Sequence, residues 1–160
     1  MSEERVNKIF GVGMVGALIS VAAGVSLWVV DRMLGHPQIA AHAAIPRAVG
    51  TLLAALGLGI HFWAACTLRN WWLEDRLCTA GPFRFFRHPM YAAWITFVIP
   101  GVGLLLNSLT LLLLPAFLHP VWHRLVVREE RLMERLFGET YRTYARRTGR
   151  FFPRFARPVE

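Results

Sequence analysis

The chain has 160 residues, 55% of them hydrophobic, yet it carries 18 Lys+Arg against 10 Asp+Glu for a net charge of +8. With only 18% charged residues and a mean hydropathy of +0.41, this composition points to a membrane class and excludes a disordered chain. Two cysteines, Cys66 in an apolar run and Cys78 in a polar segment, are too few for a secreted disulfide framework. Seventeen of the cations are arginine, Lys8 is the sole lysine, and ten of the eighteen lie from Arg124 onward, which puts a basic tail on an apolar body.

The first apolar run, Ile9 to Val30, has no charge over 22 residues and is bounded by Lys8 and Asp31. A spanning helix needs roughly 20 apolar residues and a signal peptide has a shorter core, so a span without cleavage is expected. A second run covers Ala48 to Leu68, broken only by His61. A third, Met90 to Leu106, meets a fourth, Leu109 to Val127, across Asn107-Ser108 and reads as a helical hairpin. Pro115, His119, Pro120, His123 and Arg124 predict a kink in the fourth limb and an early exit from the hydrocarbon. Strand-type alternation is absent, so the fold class is all-α: a polytopic helical bundle of about four spans (9–30, 48–68, 90–106, 109–127) in one domain over 1–160.

Positively charged loops stay on the cytoplasmic side, and with both termini there sixteen of the eighteen cations share that face, leaving Arg32 and Arg47 outside. The segment from Arg69 to Pro89 then faces the tail (128–160), and Trp71 and Trp72 suit an interfacial belt or internal packing. The tail reads as a helix from Val121 to about Tyr144. Arg124, Arg128, Arg131 and Arg135 recur at spacings of 4, 3 and 4, a stripe that suits headgroup binding or a place in a site.

Four motifs carry candidate chemistry. Gly11, Gly13 and Gly16 match the spacing of a dinucleotide-binding turn, but no strand precedes them; Gly13 with Ala17 and Gly16 with Ser20 instead form a close helix-packing face. His61 sits at membrane depth one turn after Gly57-Leu58-Gly59, where a ligand edge has room to approach backbone; bonding to a neighbouring helix is the other reading. The block from Gly81 to Tyr91, GPFRFFRHPMY, crowds Arg84, Arg87, His88, three phenylalanines and a tyrosine at the start of the third span, with Pro89 fixing the presentation of His88 and Tyr91. It suits an anionic or zwitterionic ligand. Finally, Glu129-Glu130 opens a stretch in which adjacent side chains point about 100° apart, Glu130 and Glu134 share a face, Phe137-Gly138 ends or kinks the helix, and Tyr141, Tyr144, Phe151, Phe152 and Pro153 supply an aromatic flap.

These blocks, in this order, resemble the membrane methyltransferase superfamily of isoprenylcysteine carboxyl methyltransferases and phosphatidylethanolamine N-methyltransferases. The family pattern RHPxYxG preceded by GPF appears at Gly81-Pro82-Phe83 and Arg87-His88-Pro89-Met90-Tyr91, and its glutamate pair, FG and spaced tyrosines appear at Glu129-Glu130, Phe137-Gly138, Tyr141 and Tyr144. Gly57 and Gly59 match a GxG of the phospholipid branch, whereas Ala93 stands where the family has glycine. The chain also has fewer spans than many members.

The resemblance implies S-adenosylmethionine as methyl donor, held by Gly57, Gly59, Arg87, His88, Pro89, Tyr91, Glu129 and Glu130, with Arg87, His88, Glu129 and Glu130 as the catalytic set and no metal. Within it, Arg87 or His88 meets the donor's carboxylate, Tyr91 or the tail aromatics its adenine, and Glu129 or Glu130 its ammonium and ribose. The implied partner is a membrane lipid or lipidated acceptor, not nucleic acid. The competing expectation is a non-catalytic membrane protein whose basic tail binds lipid or a partner.

Overall fold

A computed structural model describes residues 12–71 and 76–154; Arg5, Lys8, Gly11 and Trp72 lie outside them. Among the described residues there is helix and turn, with two isolated β-bridges and no strand. The helices are α1 (Gly13–Met33), α2 (Ala44–Trp71), α3 (Pro89–Ala92), α4 (Ile99–Leu105), α5 (Leu109–Leu112) and α6 (Leu114–Arg147). A 3-10 turn, Gly81–Arg84, precedes α3, and a π-helical segment, Ala93–Val98, joins α3 to α4 in one rod.

Among the described residues, three helical stretches are long and apolar enough to cross a membrane: α1, Ala44–Arg69 of α2, and the Leu109–Arg147 limb. The rod Pro89–Leu105 is shorter, about 25 Å at 1.5 Å per residue against a hydrocarbon core of roughly 30 Å. The kink expected in the fourth limb falls at Leu113, just before Pro115, whose missing N–H costs nothing in a first turn, while α6 runs on through Pro120. The second break expected of the tail is present: Gly138 adopts φ 53° and ψ −126° inside α6.

Small residues set the helix spacing. A Cβ on Gly50 would lie 2.5 Å from the Gly101 carbonyl oxygen, and one on Gly57 would lie 2.7 to 2.9 Å from Val98, Phe97 and Ala93. This is the close backbone approach by which helices associate when lipid tails remove the hydrophobic drive between them. Ala93 is fully buried, and the close contact is made from the α2 side by Gly57 against the Ala93 carbonyl. Glycines of the first motif do the same work: a Gly16 Cβ would collide with the Trp122 indole, and Trp122 Nε1 donates to Ser20 Oγ at 3.0 Å.

Leu18, Val21 and Val25 of α1 and Leu52 and Phe62 of α2 are exposed, as lipid-facing residues should be. The dry core lies between α1, the rod, α6 and the tail, built on Val12, Phe86, Ile95, Leu118, Trp122, Val126 and Phe151.

The hairpin turn is fastened to the α1–α2 loop. Asn107 takes φ 52°, its side chain bonds the Ala40 backbone in both directions, and Ser108 caps α5 by accepting from Leu111 N–H. Ser108 Oγ also donates to Asp31 Oδ1 at 2.5 Å, while His36 Nδ1 lies 2.6 Å from Asp31 Oδ2. Asp31 marks only the end of an apolar run in the sequence, yet its side chain is fully buried.

Candidate active site

At the other end of the bundle, two segments separated by about forty residues meet through the tail. Gly81–Arg84 forms a 3-10 turn because Pro82 fixes φ and Gly81 takes φ 54°, with Thr67 and Trp63 packed against it. Tyr144 then fixes the turn to α6, its hydroxyl donating to Phe83 O at 2.8 Å and Phe86 O at 3.3 Å. The backbone after α6 doubles back along this block: Arg87 N–H donates to Gly149 O at 2.7 Å, and His88 N–H to Arg150 O at 3.2 Å. Gly149 permits it, because a Cβ there would run into the Phe152 carbonyl oxygen.

Arg87 sits between this doubled chain and the helix end. One nitrogen, Nη1, donates to the Ala145 and Thr148 carbonyls at 2.6 Å each, satisfying acceptors that a helix C-terminus leaves open. Its Nε donates to Glu130 Oε1 at 2.8 Å. Arg150 reaches the same carboxylate with Nη2 at 2.6 Å from Oε2 and Nε at 2.9 and 3.0 Å from the two oxygens. Burial disfavours the ionised Glu130 carboxyl, but the neighbouring His88 imidazole, the hydrogen bonds from Arg150 and the charges of Arg87 and Arg150 outweigh it. Its pKa is held far below the usual carboxylate range.

Glu129, one residue earlier and about 100° around the helix, turns to different partners. Its Oε1 accepts from the Tyr91 hydroxyl at 2.8 Å and from Val12 N–H at 3.0 Å, tying α6 to the rod and to the start of α1. Its pKa is also lowered, the His88 contact overcoming burial. Both glutamates face inward, with side chains 21% and 13% exposed, and Glu130 is the one paired with arginine. Glu134, expected on the face of Glu130, is half exposed and pairs with Arg142 at 3.1 Å.

His88 lies between the two carboxylates, Nδ1 3.4 Å from Glu129 Oε2 and Nε2 3.5 Å from Glu130 Oε1. Burial opposes its charged form, but the two carboxylates prevail and its pKa is raised. The 3.5 Å approach lacks hydrogen-bond geometry, so buried Nε2 has no partner. The imidazole stacks on Tyr91 at 5.6 Å and 10°, and Tyr91 leans on Trp122. Pro89 is fully buried at the start of α3, where it aims both rings.

The structure thus gathers Arg87, His88, Tyr91, Glu129 and Glu130 around Pro89. Gly57 and Gly59 are placed elsewhere: Gly57 in the α2–rod contact, Gly59 with open space where a Cβ would stand. His61 accepts from Trp94 Nε1–H at 3.2 Å, the helix-to-helix reading of that residue. Sequence reasoning missed Arg150, one of many tail arginines, and the Val12 amide, which no side-chain motif marks. An open groove of about 430 Å³ leads to Glu130 and Arg87, bordered by Arg131, Tyr141, Arg142 and Arg154. Among the described residues no group of three or more His, Cys, Asp or Glu lies together as a metal site.

The sequence pattern of the phospholipid methyltransferase family matches residues 45–140, which include the rod, the hairpin and the glutamate pair. The chain is 30% identical over 138 residues to the nickel-cobalt-cadmium resistance protein NccN of Alcaligenes xylosoxydans xylosoxydans, covering 82% of this chain and 62% of that protein. It is 31% identical over 109 residues to the cobalt-zinc-cadmium resistance protein CzcN of Cupriavidus metallidurans, covering 68% and 48%. The chain thus spans about half to three-fifths the length of these relatives. With the family's two motifs joined in one buried cluster, this integral membrane protein belongs to the phospholipid methyltransferase family.

Proposed function

We propose that the protein transfers a methyl group from S-adenosylmethionine to an acceptor embedded in the lipid, with the Glu129/Glu130 end of the bundle on the cytoplasmic side. The observation that carries this reading is the buried cluster itself, in which His88 Nε2 lacks a partner between two ionised carboxylates. A zwitterionic ligand suits such a cluster. Arg87 and His88 offer donors for a carboxylate, Glu129 and Glu130 acceptors for an ammonium or a ribose diol, and Tyr91 a ring face for adenine. S-adenosylmethionine supplies a methyl group on a sulfonium, already activated for transfer. The protein's contribution is then to orient the reactants, exclude water and supply fixed charges. The doubled tail serves all three, since Arg87 and Glu130 are locked by it on one side and Phe151 closes the apolar side.

The sixteen-to-two division of cations between the two faces supports the orientation. A prenylcysteine-like carboxylate and a phospholipid amine are both within the acceptor class. The test is incubation of membranes with methyl-labelled donor and total lipid extract, followed by separation of labelled lipids. Label is expected in a lipid fraction with the native protein and absent with His88→Ala. If S-adenosylhomocysteine shows no saturable binding to purified protein, the non-catalytic reading, a basic tail that binds lipid or a partner, replaces this one.

A further inference from the structure

A methyl acceptor that carries X–H must lose a proton, and the charged cluster is poorly built to take it. Glu130 is bound to two guanidinium groups, Glu129 already accepts two hydrogen bonds at one oxygen, and His88 is held between carboxylates that favour its protonated form. A second imidazole lies nearby. His119 is on α6, eleven residues before Glu130 and about 16 Å back along the helix at 1.5 Å per residue. Its Nδ1 is buried and has no hydrogen-bond partner, while Nε2 stands 3.5 Å from Thr96 Oγ1 of the π-helical segment. π-Helical turns recur at functional sites because they redirect side chains out of the α-helical register.

The rings connect this position to the charged cluster. Phe151 lies 6.1 Å from His88, 5.9 Å from His119 and 4.8 Å from His123, while Phe152, half exposed, stacks on His119 at 5.2 Å and 22°. His123, one turn from His119, has Nδ1 3.5 Å from Arg150. One aromatic residue, Phe151, therefore separates His88 from the partly exposed His119. Among the described residues His119 makes no hydrogen bond or ion pair with a charged side chain.

Resting on the methyl-transfer reading, we propose that His119 Nδ1 is the hydrogen-bonding site for the acceptor, and that the acceptor presents an uncharged protic group, a hydroxyl, thiol or neutral amine, on an apolar body. Phe152 covers this site in the described conformation and is displaced by the apolar body. In the transfer the X–CH3 bond forms as the S–CH3 bond breaks, the sulfonium becomes a neutral thioether, and the X–H proton passes to His119. One positive charge disappears as another appears, so no net charge is added to the dry region. A carboxylate acceptor has no proton to give to His119 Nδ1, and it would be desolvated beside His119 and Thr96 without a counter-charge in hydrogen-bond contact there.

The test uses the full chain, labelled with 15N at histidine, in phosphatidylcholine nanodiscs, with His119 assigned by the signals lost in His119→Gln. 1-Dodecanol is expected to move the Nδ1 signal toward its hydrogen-bonded position, dodecane to leave it in place, and dodecanoate to move it less than dodecanol. S-adenosylhomocysteine is titrated in parallel into both proteins, with affinities expected to agree within about threefold, since a difference of that size is under half a decade. With total lipid extract as acceptor, His119→Gln is expected to lower transfer by about 10²–10⁴-fold, the usual worth of a general base. An Nδ1 signal that ignores dodecanol, or follows dodecane equally, overturns the site. A larger response to dodecanoate overturns the uncharged class. Failure of S-adenosylhomocysteine to bind the native protein overturns the methyl-transfer reading instead, and the dodecanol response still decides whether Nδ1 is a hydrogen-bonding site.

Discussion

Asp31 and Glu130 are carboxylates buried near the two ends of the same bundle, and their surroundings differ in kind. Asp31 is held by a serine hydroxyl and a histidine within a loop whose backbone is paired to the hairpin turn. Glu130 is held by two guanidinium groups, one of them brought from a doubled-back tail, beside an imidazole with a nitrogen left over. The first arrangement is closed and fastens loops. The second has more donors than its carboxylates use and opens on a groove, which is what a ligand-binding cluster requires and a structural pin does not.

The largest expected effect is at Glu130. Glu130→Gln leaves Arg87 and Arg150 without their counter-charge, a loss of about 3–5 kcal/mol for a broken buried pair. Binding of S-adenosylhomocysteine, measured by calorimetry, is expected to weaken at least about 100-fold, which is 2.7 kcal/mol. Asp31→Ala should do the reverse. It strands Ser108 and His36 and lowers thermal stability by about 2–4 kcal/mol, one to two unsatisfied buried groups, while ligand affinity stays unchanged. Loss of affinity in Asp31→Ala with stability intact would erase the distinction between the two ends.

Gly149→Ala is a narrower probe of the Glu130 end. The new methyl group meets the Phe152 carbonyl, and the overpacking cost of about 1–3 kcal/mol should fall on tail docking alone. Hydrogen exchange at the Arg87 and His88 amides, which donate to the tail, is expected to accelerate while α2 stays protected.

A pH titration sharpens the same point. His88 has a raised pKa, so its contribution is full below the ordinary value of 6.5 and is lost as pH rises through the raised one. Glu130 has a lowered pKa, so its contribution is full above the ordinary 4.5 and is lost as pH falls through the lowered one. Protection factors of the tail-paired amides should therefore be highest between about pH 4.5 and 6.5 and decline on either side. The smallest effect is expected at Gly59→Ala, within about 0.5 kcal/mol by thermal unfolding, because the added methyl meets open space.

The parts legible in the sequence were those whose signal is local. RHPMY and the glutamate pair mark themselves by residue type and spacing, and hydrophobic run lengths located the helices to within a few residues at most ends. Asn107-Ser108 was readable as a turn, and Gly138 as a helix break, for the same reason. What stayed hidden depends on distant partners. Asp31 looks like a span boundary until Ser108, 77 residues on, is folded against it. Arg150 is indistinguishable from the other tail arginines until the chain reverses at Gly149. The prolines of the fourth limb predict a kink without saying which of them it falls beside: it lies before Pro115, and α6 continues through Pro120. Gly57 and Gly59 stand two residues apart in one motif, on opposite sides of α2, one in a helix contact and one open.

The pairing of Phe86 with Gly149 also has a consequence for biosynthesis. Helices enter a membrane in the order in which they are made, but Arg87 receives its Thr148 partner only 61 residues later. The hydrophobic rods can therefore be in place, correctly threaded, while the charged cluster is still unassembled. A message truncated or a chain clipped between Glu130 and Gly149 would yield a protein that inserts normally and passes for intact by membrane fractionation, yet never closes its cluster.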